Sequence, residues 1–287
     1  MRLASFNLLH GGSLDGRQLP LERLVAACAS LQADVLCLQE VDRGQARSGG
    51  ADQTAAIAEG IGAAAWRFQP ALVGEPGGRW RPAVDEDDEA PASAVAPAPV
   101  APSCAPSAGA YGVGLVSRLP VRAWHVVRLR AAPVRSPVYV PGARASRWGA
   151  VVMLADEPRV VVAAEVESPA GVLVVASTHL SFVPGWNAVQ LRRATRHLAG
   201  LRHPCVLLGD LNLPGPVPCR VSGWRALASV HTFPADRPRI QLDHALARGP
   251  LPPVVATTAP RLDVSDHRAL VVDLQGPAGA SRSRGAL

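Results

Sequence analysis

Lysine is absent from this 287-residue sequence, so all 29 of its basic residues are arginines. With 23 acidic residues the formal net charge is +6, and the sequence pI is about 9.7. A planar guanidinium pairs with phosphate oxygens through two parallel hydrogen bonds, so this excess suits a phosphate-bearing ligand. A genome whose codons favour Arg, Ala and Pro would give the same composition, and the two explanations carry equal weight.

Aromatic residues are also scarce, at 4% of the chain. Proteins that bind single-stranded nucleic acid stack its bases on aromatic rings, and few rings are available here. The basic pI nevertheless favours nucleic acid modestly, because arginines that neutralise backbone phosphates give affinity for any base sequence. The composition therefore leaves nucleic acid and smaller phosphate esters both open as ligands.

The cysteines number five, and no two of them have the C-x-x-C spacing typical of a zinc site. Cys28 and Cys37 lie in apolar patterns that are typical of buried, reduced thiols. The first residues, Met1 to Phe6, lack the apolar stretch of a signal peptide, and no apolar run is long enough to span a bilayer. We therefore expect a reduced, cytoplasmic protein with no stable membrane insertion.

Apolar runs and helical spacings dominate the rest of the chain. Residues 3–9 and 35–38 are predicted strands, and residues 21–31, about 53–61 and 186–198 are predicted helices. Later apolar runs predict further strands at 113–116, 150–154, 160–166, 172–176, 206–208 and 269–274. Many strands with few helices predict an α/β (α+β) fold in which two packed sheets carry helices on their outer faces.

A chain of this length could form one domain or two. The polar motifs described below run from end to end, which predicts a single domain over residues 1–275. Between about 75 and 110 the composition changes to an acidic cluster followed by Ala-Pro-Ser repeats. Such a segment lacks the large apolar side chains that offset the entropy of ordering, so we predict a flexible surface insertion there and a disordered tail at 276–287.

Several of the apolar runs end abruptly in carboxylate, carboxamide or imidazole side chains. Polar groups at the ends of buried strands lie at a sheet edge, and unpaired charge there is costly unless a metal, partner or solvent compensates. Each segment alone is weak, since a lone Glu is usually solvated and Asp-x-Asn is often a turn. Together they indicate a site, and the segments end at Asn7, Glu40, His179, Asn212 and His267.

In this order the segments resemble the endonuclease/exonuclease/phosphatase superfamily, from Asn7 to His267. The motifs Gly209-Asp210-Leu211-Asn212 and Ser265-Asp266-His267 are the most specific parts. The resemblance implies a four-layered sandwich of two packed mixed β-sheets flanked by helices, one Mg²⁺ or Mn²⁺ site, and attack of water on a phosphodiester or phosphomonoester. The chemistry agrees, because a negatively charged ester repels a nucleophile unless a cation lies on its phosphoryl oxygens.

The resemblance also assigns the metal ligands. Glu40 is the first predicted ligand, with the amide oxygen of Asn7 and the carboxylate of Asp266 as helpers, since hard cations take oxygen ligands and often only one or two carboxylates. Abasic-site endonucleases carry an acidic residue two positions after the first Asn, where this sequence has Leu9. The missing carboxylate disfavours a two-metal scheme.

The catalytic roles follow from the same resemblance. Asp210 matches the residue that orients or deprotonates the attacking water, and Asn212, two positions along an extended segment, faces the same way. His267 matches the histidine that stabilises charge on the phosphorus, and Asp243 is the carboxylate expected to fix its tautomer and favour its protonated form. His179 matches the second histidine of deoxyribonuclease-like and sphingomyelinase-like members.

Arginines close to these motifs are candidates for substrate contact. Arg118 and Arg147 occupy places where many relatives have an arginine, and Arg147 is predicted to bind a substrate phosphate. The alternative for Arg147, of equal weight, is a surface arginine without a function. Arg43 and Arg47, shortly after Glu40, carry the same two interpretations.

The leading hypothesis is a monomeric, metal-dependent phosphodiesterase or nuclease. One alternative is a phosphatase or phospholipase-type enzyme that acts on a small phosphorylated metabolite or a lipid head group. Another is a catalytically silent member that uses the same cleft for binding, although every expected type of site residue is present. A structural protein that shares only the fold is the least favoured.

Overall fold

The computed structural model describes residues 1–13, 16–88, 92–93, 109–140 and 150–276. Its strands in the first half of the chain are β1 (Arg2–Asn7), β2 (Val35–Arg43), β3 (Ala65–Gly74), β4 (Trp80–Pro82), β5 (Ala92–Ser93), β6 (Ala110–Ser117), β7 (Val121–Leu129) and β8 (Arg135–Val140). The later strands are β9 (Ala150–Ala155), β10 (Arg159–Ser168), β11 (Gly171–His179), β12 (Cys205–Asp210), β13 (Arg225–Ala226), β14 (Asp243–Arg248), β15 (Val254–Thr258) and β16 (Leu270–Leu274). The helices are α1 (Leu21–Ser30), α2 (Gln53–Gly60), α3 (Trp186–Leu198) and α4 (Val217–Ser222).

The strands form two large mixed sheets and one separate pair. The first sheet has the order β15-β16-β1-β2-β6-β3-β4, with β5 paired to β3, and the second has the order β13-β14-β12-β11-β10-β7. Among the residues that the structure describes, strands β8 and β9 pair only with each other. The predicted architecture of two packed mixed sheets is confirmed.

Three apolar clusters define the layers. One lies between the sheets and joins side chains such as Leu3 and Leu115 of the first sheet to Val162 and Val206 of the second. A second cluster packs α1 and α2 on the outer face of the first sheet. A third packs α3 on the outer face of the second sheet. Because both faces of each sheet are covered, the central strands are continuous apolar runs, as the sequence showed.

The predicted helices are confirmed, and α3 has the predicted bounds of residues 186–198. The sequence did not predict β3, β7, β14 or β15. Strand β3 contains the polar and imino residues Arg67, Gln69 and Pro70, and β7 lies at a sheet edge with alternating exposure. Such strands lack the uninterrupted apolar run that marks a central strand.

Parallel pairing brings the ends of the polar segments to one edge of the sandwich. β1 and β2 are parallel neighbours with Asn7 opposite Gln39, and β11 and β12 are parallel neighbours with His179 opposite Asp210. Antiparallel β14 begins at Asp243, which lies opposite Asp210. Gln39 links the two sheets close to this edge, because its Nε2 donates to Ser177 Oγ over 3.2 Å.

The composition change near residue 75 coincides with a turn in the first sheet. Strand β3 ends at Gly74, and β4 runs back along it, so that Trp80 pairs with Gly74. Residues 89–91, 94–108 and 277–287, which include most of the Ala-Pro-Ser repeats and the tail, lie outside the described residues. Within the described part of the chain, no helix is both long enough and apolar enough to cross a membrane.

Candidate active site

Asn7 joins the two sheets at the polar edge. Its Nδ2 donates to Glu40 Oε1 over 3.1 Å and to Asp210 Oδ2 over 3.2 Å, and its Oδ1 accepts a hydrogen bond of 3.0 Å from the backbone N–H of Leu9. Asn7 is 1% exposed, so this geometry is fixed by packing. A residue of the first strand thus holds a carboxylate from each sheet.

Glu40 reaches the cluster because β2 contains a bulge. The pairing of β2 with β6 shifts between Leu38 and Val41, and Glu40 has a φ of 53°. A non-glycine residue in this left-handed region costs about 1–3 kcal/mol and is typical of functional sites. Burial works against ionisation of Glu40, but His10, whose Nδ1 lies 3.8 Å from Glu40 Oε2, and the charges of His179 and His267 lower its pKa to about 2. Glu40 is therefore an ionised carboxylate at neutral pH.

Asp210 ends β12 in the middle of the cluster and is 2% exposed. Its Oδ1 accepts a hydrogen bond of 2.9 Å from the backbone N–H of Asn212. Gly209 precedes it with a φ of 150°, and a Cβ there would lie 1.8 Å from Thr178 O, so only glycine fits beside β11. Burial raises the pKa of Asp210 to about 7, although the charge of His267 opposes the shift.

His267 lies between two carboxylates. Its Nδ1 is 2.8 Å from Asp243 Oδ2, and its Nε2 is 3.6 Å from Asp210 Oδ2. Burial alone would lower the pKa of His267, but the charges of Asp243 and Asp210 outweigh it and raise that pKa to about 10. The ring of Phe233 packs on the imidazole with centroids 4.9 Å apart. His267 is consequently an oriented imidazolium at neutral pH.

His179 approaches Asp210 from β11, with Nε2 3.5 Å from Asp210 Oδ2. Asn212 lies beside it, with Nδ2 3.2 Å from His179 Nε2 and 3.0 Å from Leu180 O. Asn187 of α3 holds the Asn212 backbone, because its Nδ2 donates to Asn212 O over 2.8 Å. The second sheet therefore presents two histidines and one amide to the same aspartate.

Asp266 is the most loosely held of the predicted metal ligands. It is half-buried, and its Oδ1 lies 3.5 Å from Ser265 Oγ. Burial raises its pKa, His267 opposes that shift, and the nearby charge of Glu40 adds to it. Asp266 thus lies within electrostatic range of Glu40 at the edge of the cluster.

The predicted arginines differ in their placement. Arg147 lies outside the described residues. Arg118 donates from Nε to Ile61 O over 3.0 Å and follows the end of β6 that pairs with the start of β2, away from Glu40. Arg47 makes two hydrogen bonds of 2.8 and 2.7 Å to the buried Asp42.

Sequence reasoning missed two residues of the cluster, His10 and Arg159. Arg159 is 6% exposed and lies with Nη1 3.3 Å from His179 Nδ1. It is the first residue of β10, which runs antiparallel to β11, so the start of β10 meets the end of β11. The sequence signal for Arg159 is a charged residue directly before the apolar run at 160–164. Only the pairing of β10 with β11 shows that this residue lies beside His179.

The oxygen donors suit a hard divalent cation. Glu40 is ionised and Asp266 lies nearby, whereas Asn7 presents Nδ2 to Glu40 and its Oδ1 to Leu9 N. In the described ranges, no three His, Cys, Asp or Glu side chains form a metal-binding group. That donor set fits Mg²⁺ or Mn²⁺, which bind through one or two carboxylates and retain water, better than a structural zinc.

Two mixed sheets packed face to face, with acidic, amide and imidazole groups gathered at one edge, define a class of layered α/β sandwich proteins. Within that class, the chain belongs to the endonuclease/exonuclease/phosphatase family, whose sequence model matches residues 4–267. Members of this family are generally hydrolases of phosphate esters, and they typically use divalent metals. No curated protein sequence is similar enough to the chain to count as a match.

Solved structures share the fold. An endonuclease/exonuclease/phosphatase from Beutenbergia cavernae is 22% identical with a TM-score of 0.60, and the match covers 96% of this chain and 71% of that one. The human nocturnin catalytic domain with bound sulfate is 16% identical with a TM-score of 0.54, covering 96% and 94%. A mannosyl-6-phosphatase from Bacteroides thetaiotaomicron is 14% identical with a TM-score of 0.52, covering 96% and 99%. At these identities the likeness concerns the fold alone.

Proposed function

We propose that this protein is a divalent-metal-dependent hydrolase of phosphate esters, most favourably a phosphodiesterase or nuclease, that uses water as the nucleophile. The observation that carries the proposal is the environment of Asp210 Oδ2. Asn7 Nδ2 lies 3.2 Å from it, His179 Nε2 3.5 Å and His267 Nε2 3.6 Å. One carboxylate oxygen thus meets groups from the first strand, from the middle of the chain and from the last motif.

Asp210 is the proposed general base. A base works best when its pKa lies near the working pH, and burial raises the pKa of Asp210 to about 7. The hydrogen bond from Asn212 N to Oδ1 fixes the carboxylate, and Oδ2, which already accepts from Asn7 Nδ2, is the oxygen proposed to take the proton of the attacking water. Asn212 is proposed to hold that water or to donate to a phosphoryl oxygen.

His267 is the proposed positive charge beside the reacting phosphorus. Asp243 fixes the proton on Nδ1 through the 2.8 Å contact, so Nε2–H is directed into the cluster. A preorganised donor aimed at developing negative charge is a large contributor to catalysis in a buried site. Asp243 is proposed to act only through His267.

Glu40, Asn7 Oδ1 and Asp266 are the proposed ligands for Mg²⁺ or Mn²⁺, with the condition that the Asn7 amide, whose Nδ2 now faces Glu40, rotates to offer its oxygen. When bound there, the cation would neutralise charge on the phosphoryl oxygens. The low pKa of Glu40, set by its hydrogen bond to His10 and by both site histidines against the cost of burial, keeps an anionic ligand ready at neutral pH. Asn7 comes from β1, Glu40 from β2 and Asp266 from the loop that precedes β16.

The favoured substrate is nucleic acid, on the basis of the net charge of +6 and the complete use of arginine for basic residues. A small phosphorylated metabolite or a lipid head group is the second candidate, favoured by the scarcity of aromatic residues, at 4% of the chain. The proposed setting is the cytoplasm. The cysteines that the structure describes, Cys28, Cys37, Cys205 and Cys219, are all free thiols, which suits a reducing environment.

The test is hydrolysis of bis-p-nitrophenyl phosphate and p-nitrophenyl phosphate, followed by single-stranded DNA, duplex DNA, RNA, sphingomyelin and inositol phosphates. EDTA should abolish turnover, and Mg²⁺ or Mn²⁺ should restore it, because the ester's charge must be neutralised before water can attack. Turnover that persists in EDTA would contradict the proposed chemistry. Binding without hydrolysis of any substrate would favour the silent-member alternative.

A further inference from the structure

The two histidines of the cluster have opposite partners. His267 lies against the carboxylate of Asp243, whereas His179 lies against the guanidinium of Arg159, with Arg159 Nη1 3.3 Å from His179 Nδ1. Arg159 is 6% exposed and His179 is 7% exposed, so solvent does not screen this contact. A cation placed against a buried imidazole is unexpected in a site that must stabilise negative charge.

The contact assigns the proton of His179. A guanidinium has donors and no acceptor, so Nδ1 must be the accepting nitrogen and the imidazole proton must lie on Nε2. Asn212 Nδ2 lies 3.2 Å from His179 Nε2 and donates one of its two N–H groups to Leu180 O over 3.0 Å, so the contact with Arg159, and not Asn212, assigns the tautomer. The oxygen that faces His179 Nε2 is Asp210 Oδ2, 3.5 Å away.

We propose that Arg159 is a positioning residue that keeps His179 neutral with its proton on Nε2. His179 then serves the reaction as an uncharged hydrogen-bond donor. The role of His179 in turnover rests on the proposed function, whereas the tautomer rests only on the contact between Arg159 Nη1 and His179 Nδ1. The two histidines thus differ because their partners differ: a carboxylate, Asp243, lies against His267, and a guanidinium, Arg159, lies against His179.

The turn that precedes β10 places a carboxylate, Asp156, beside Arg159. Asp156 Oδ1 lies 3.9 Å from Arg159 Nη2, and Asp156 Oδ2 accepts a hydrogen bond of 2.6 Å from the backbone N–H of Ala132. Burial opposes the charge of Arg159, but neighbouring charges, which include the carboxylates of Glu157 and Asp156, more than offset it and raise its pKa. The guanidinium consequently stays charged beside His179.

Other charges near His179 do not reverse the effect of Arg159. Burial lowers the pKa of His179, Arg159 and His267 lower it further, and Glu40 and Asp243 oppose them, with a result of about 3. The neutral form is thus the stable one throughout the neutral range. The groups that face His179 from the surrounding strands and loops are Arg159, Asp210, Glu40, Asp243 and His267.

The direct experiment is ¹⁵N NMR of the histidine ring nitrogens in the full-length protein, first in EDTA and then with Mg²⁺. The His179 signals are assigned by their loss in His179→Asn. We expect a single Nε2-protonated tautomer that does not titrate between pH 5 and pH 9. A proton on Nδ1, or a charged imidazole at pH 7, would overturn the proposal without any use of turnover.

Arg159→Met removes the donor and the charge, and Arg159→Lys keeps both with different geometry. In Arg159→Met the His179 ring should begin to titrate or to populate both tautomers, and kcat should fall about 10–100-fold, as for other partners that orient a site ligand. Arg159→Lys should restore the single tautomer at least partly. The control is Arg122→Met, an exposed arginine paired with Glu167 on the same sheet.

The outcomes separate this proposal from the proposed function. An Arg159→Met protein with an unchanged His179 tautomer and pKa would refute the positioning role even if its activity fell. If no phosphate ester is hydrolysed but the wild-type tautomer is as expected, the assignment of the proton stands and the function fails. Should Arg159→Met not fold, the wild-type and Arg159→Lys spectra decide the question.

Discussion

The two sheets bring different chemistry to the same edge of the sandwich. The first sheet supplies an ionised glutamate, Glu40, and the amide of Asn7, whose Nδ2 holds a carboxylate from each sheet. The second supplies His179, Asp210 and Asp243, whose pKa values are shifted by burial and by neighbouring charges. The proposed hydrolysis needs a cation ligand and a proton acceptor, and in that proposal each sheet contributes one of them.

The largest effect is expected from the second sheet. Asp210→Asn removes the proton acceptor without changing the size of the side chain, so kcat should fall on the order of a hundredfold or more. More Mg²⁺ should not restore it. Kinetics on bis-p-nitrophenyl phosphate, with circular dichroism to establish the fold, measure this.

The matched control for that variant is Asp85→Asn, whose side chain is 94% exposed and outside the cluster. It should keep wild-type kinetics. Near-normal turnover in Asp210→Asn would remove this residue from the mechanism and leave the second sheet without a base.

A smaller, rescuable effect is expected from the first sheet. Glu40→Gln should raise the Mg²⁺ concentration for half-maximal activity about 10–100-fold or more, since even an outer partner of a metal ligand contributes that much. Saturating Mg²⁺ should recover part of kcat. Metal titrations of activity, compared with the exposed Glu22→Gln on α1, measure the shift. An unchanged Mg²⁺ requirement would mean that Glu40 does not bind the cation, and the first sheet would then have no assigned role in metal binding.

The smallest effect concerns stability without metal. Burial raises the pKa of Asp210 from 3.8 to about 7, so between those values the folded protein holds a proton that the unfolded chain has released. Despite burial, Asp243 and Asp210 raise the pKa of His267 from 6.5 to about 10, and that contribution is complete below 6.5 and lost as the pH rises through 10. The lowered pKa of His179, about 3 against 6.5, has the opposite sign, because between those values the unfolded chain binds a proton that the folded protein excludes. Asp210 and His179 therefore oppose each other between about pH 4 and pH 7, and the contribution of the site to the free energy of unfolding should fall from about pH 7 to pH 10.

Urea denaturation in EDTA across this range tests the sign. Asp210→Asn has no carboxylate to titrate at this position, so the stability of the wild type relative to that of the variant should fall between about pH 4 and pH 7. A difference that stays constant over that interval would mean that the carboxylate is ionised in the folded protein and that the base is not poised near neutrality.

Much of the site could be predicted because its residues end apolar strands. Asn7, Glu40, Asp210 and His267 each follow or close such a run, and the structure brings these four together. Their roles remain predictions. The orientation of Asn7 could not be predicted, because its Nδ2 rather than its oxygen faces the two carboxylates.

Other parts depend on pairing that no local pattern records. Arg159 begins β10, and only the antiparallel register with β11 brings it to His179. Arg118, which matched a familiar position, instead binds Ile61 O at the far end of β6. Strand β3 was missed because Arg67, Gln69 and Pro70 interrupt its apolar pattern. The sequence therefore predicted residues that lie at strand ends, but not residues such as Arg159 that reach the site through the pairing of one strand with another.

The extra residue in β2 constrains how this protein can vary. Leu38 pairs with Gly114 and Val41 with Gly112, so three steps along β2 match two along β6, and Leu38 and Val41 share the face toward α1 and α2. A one-residue deletion here would restore regular pairing with β6 and leave Leu38 and Val41 on the same face, two steps apart, but it would remove the extra position that carries Glu40 into the cluster. Strand β2 must therefore keep its residue count between Leu38 and Val41 for the cluster to stay complete.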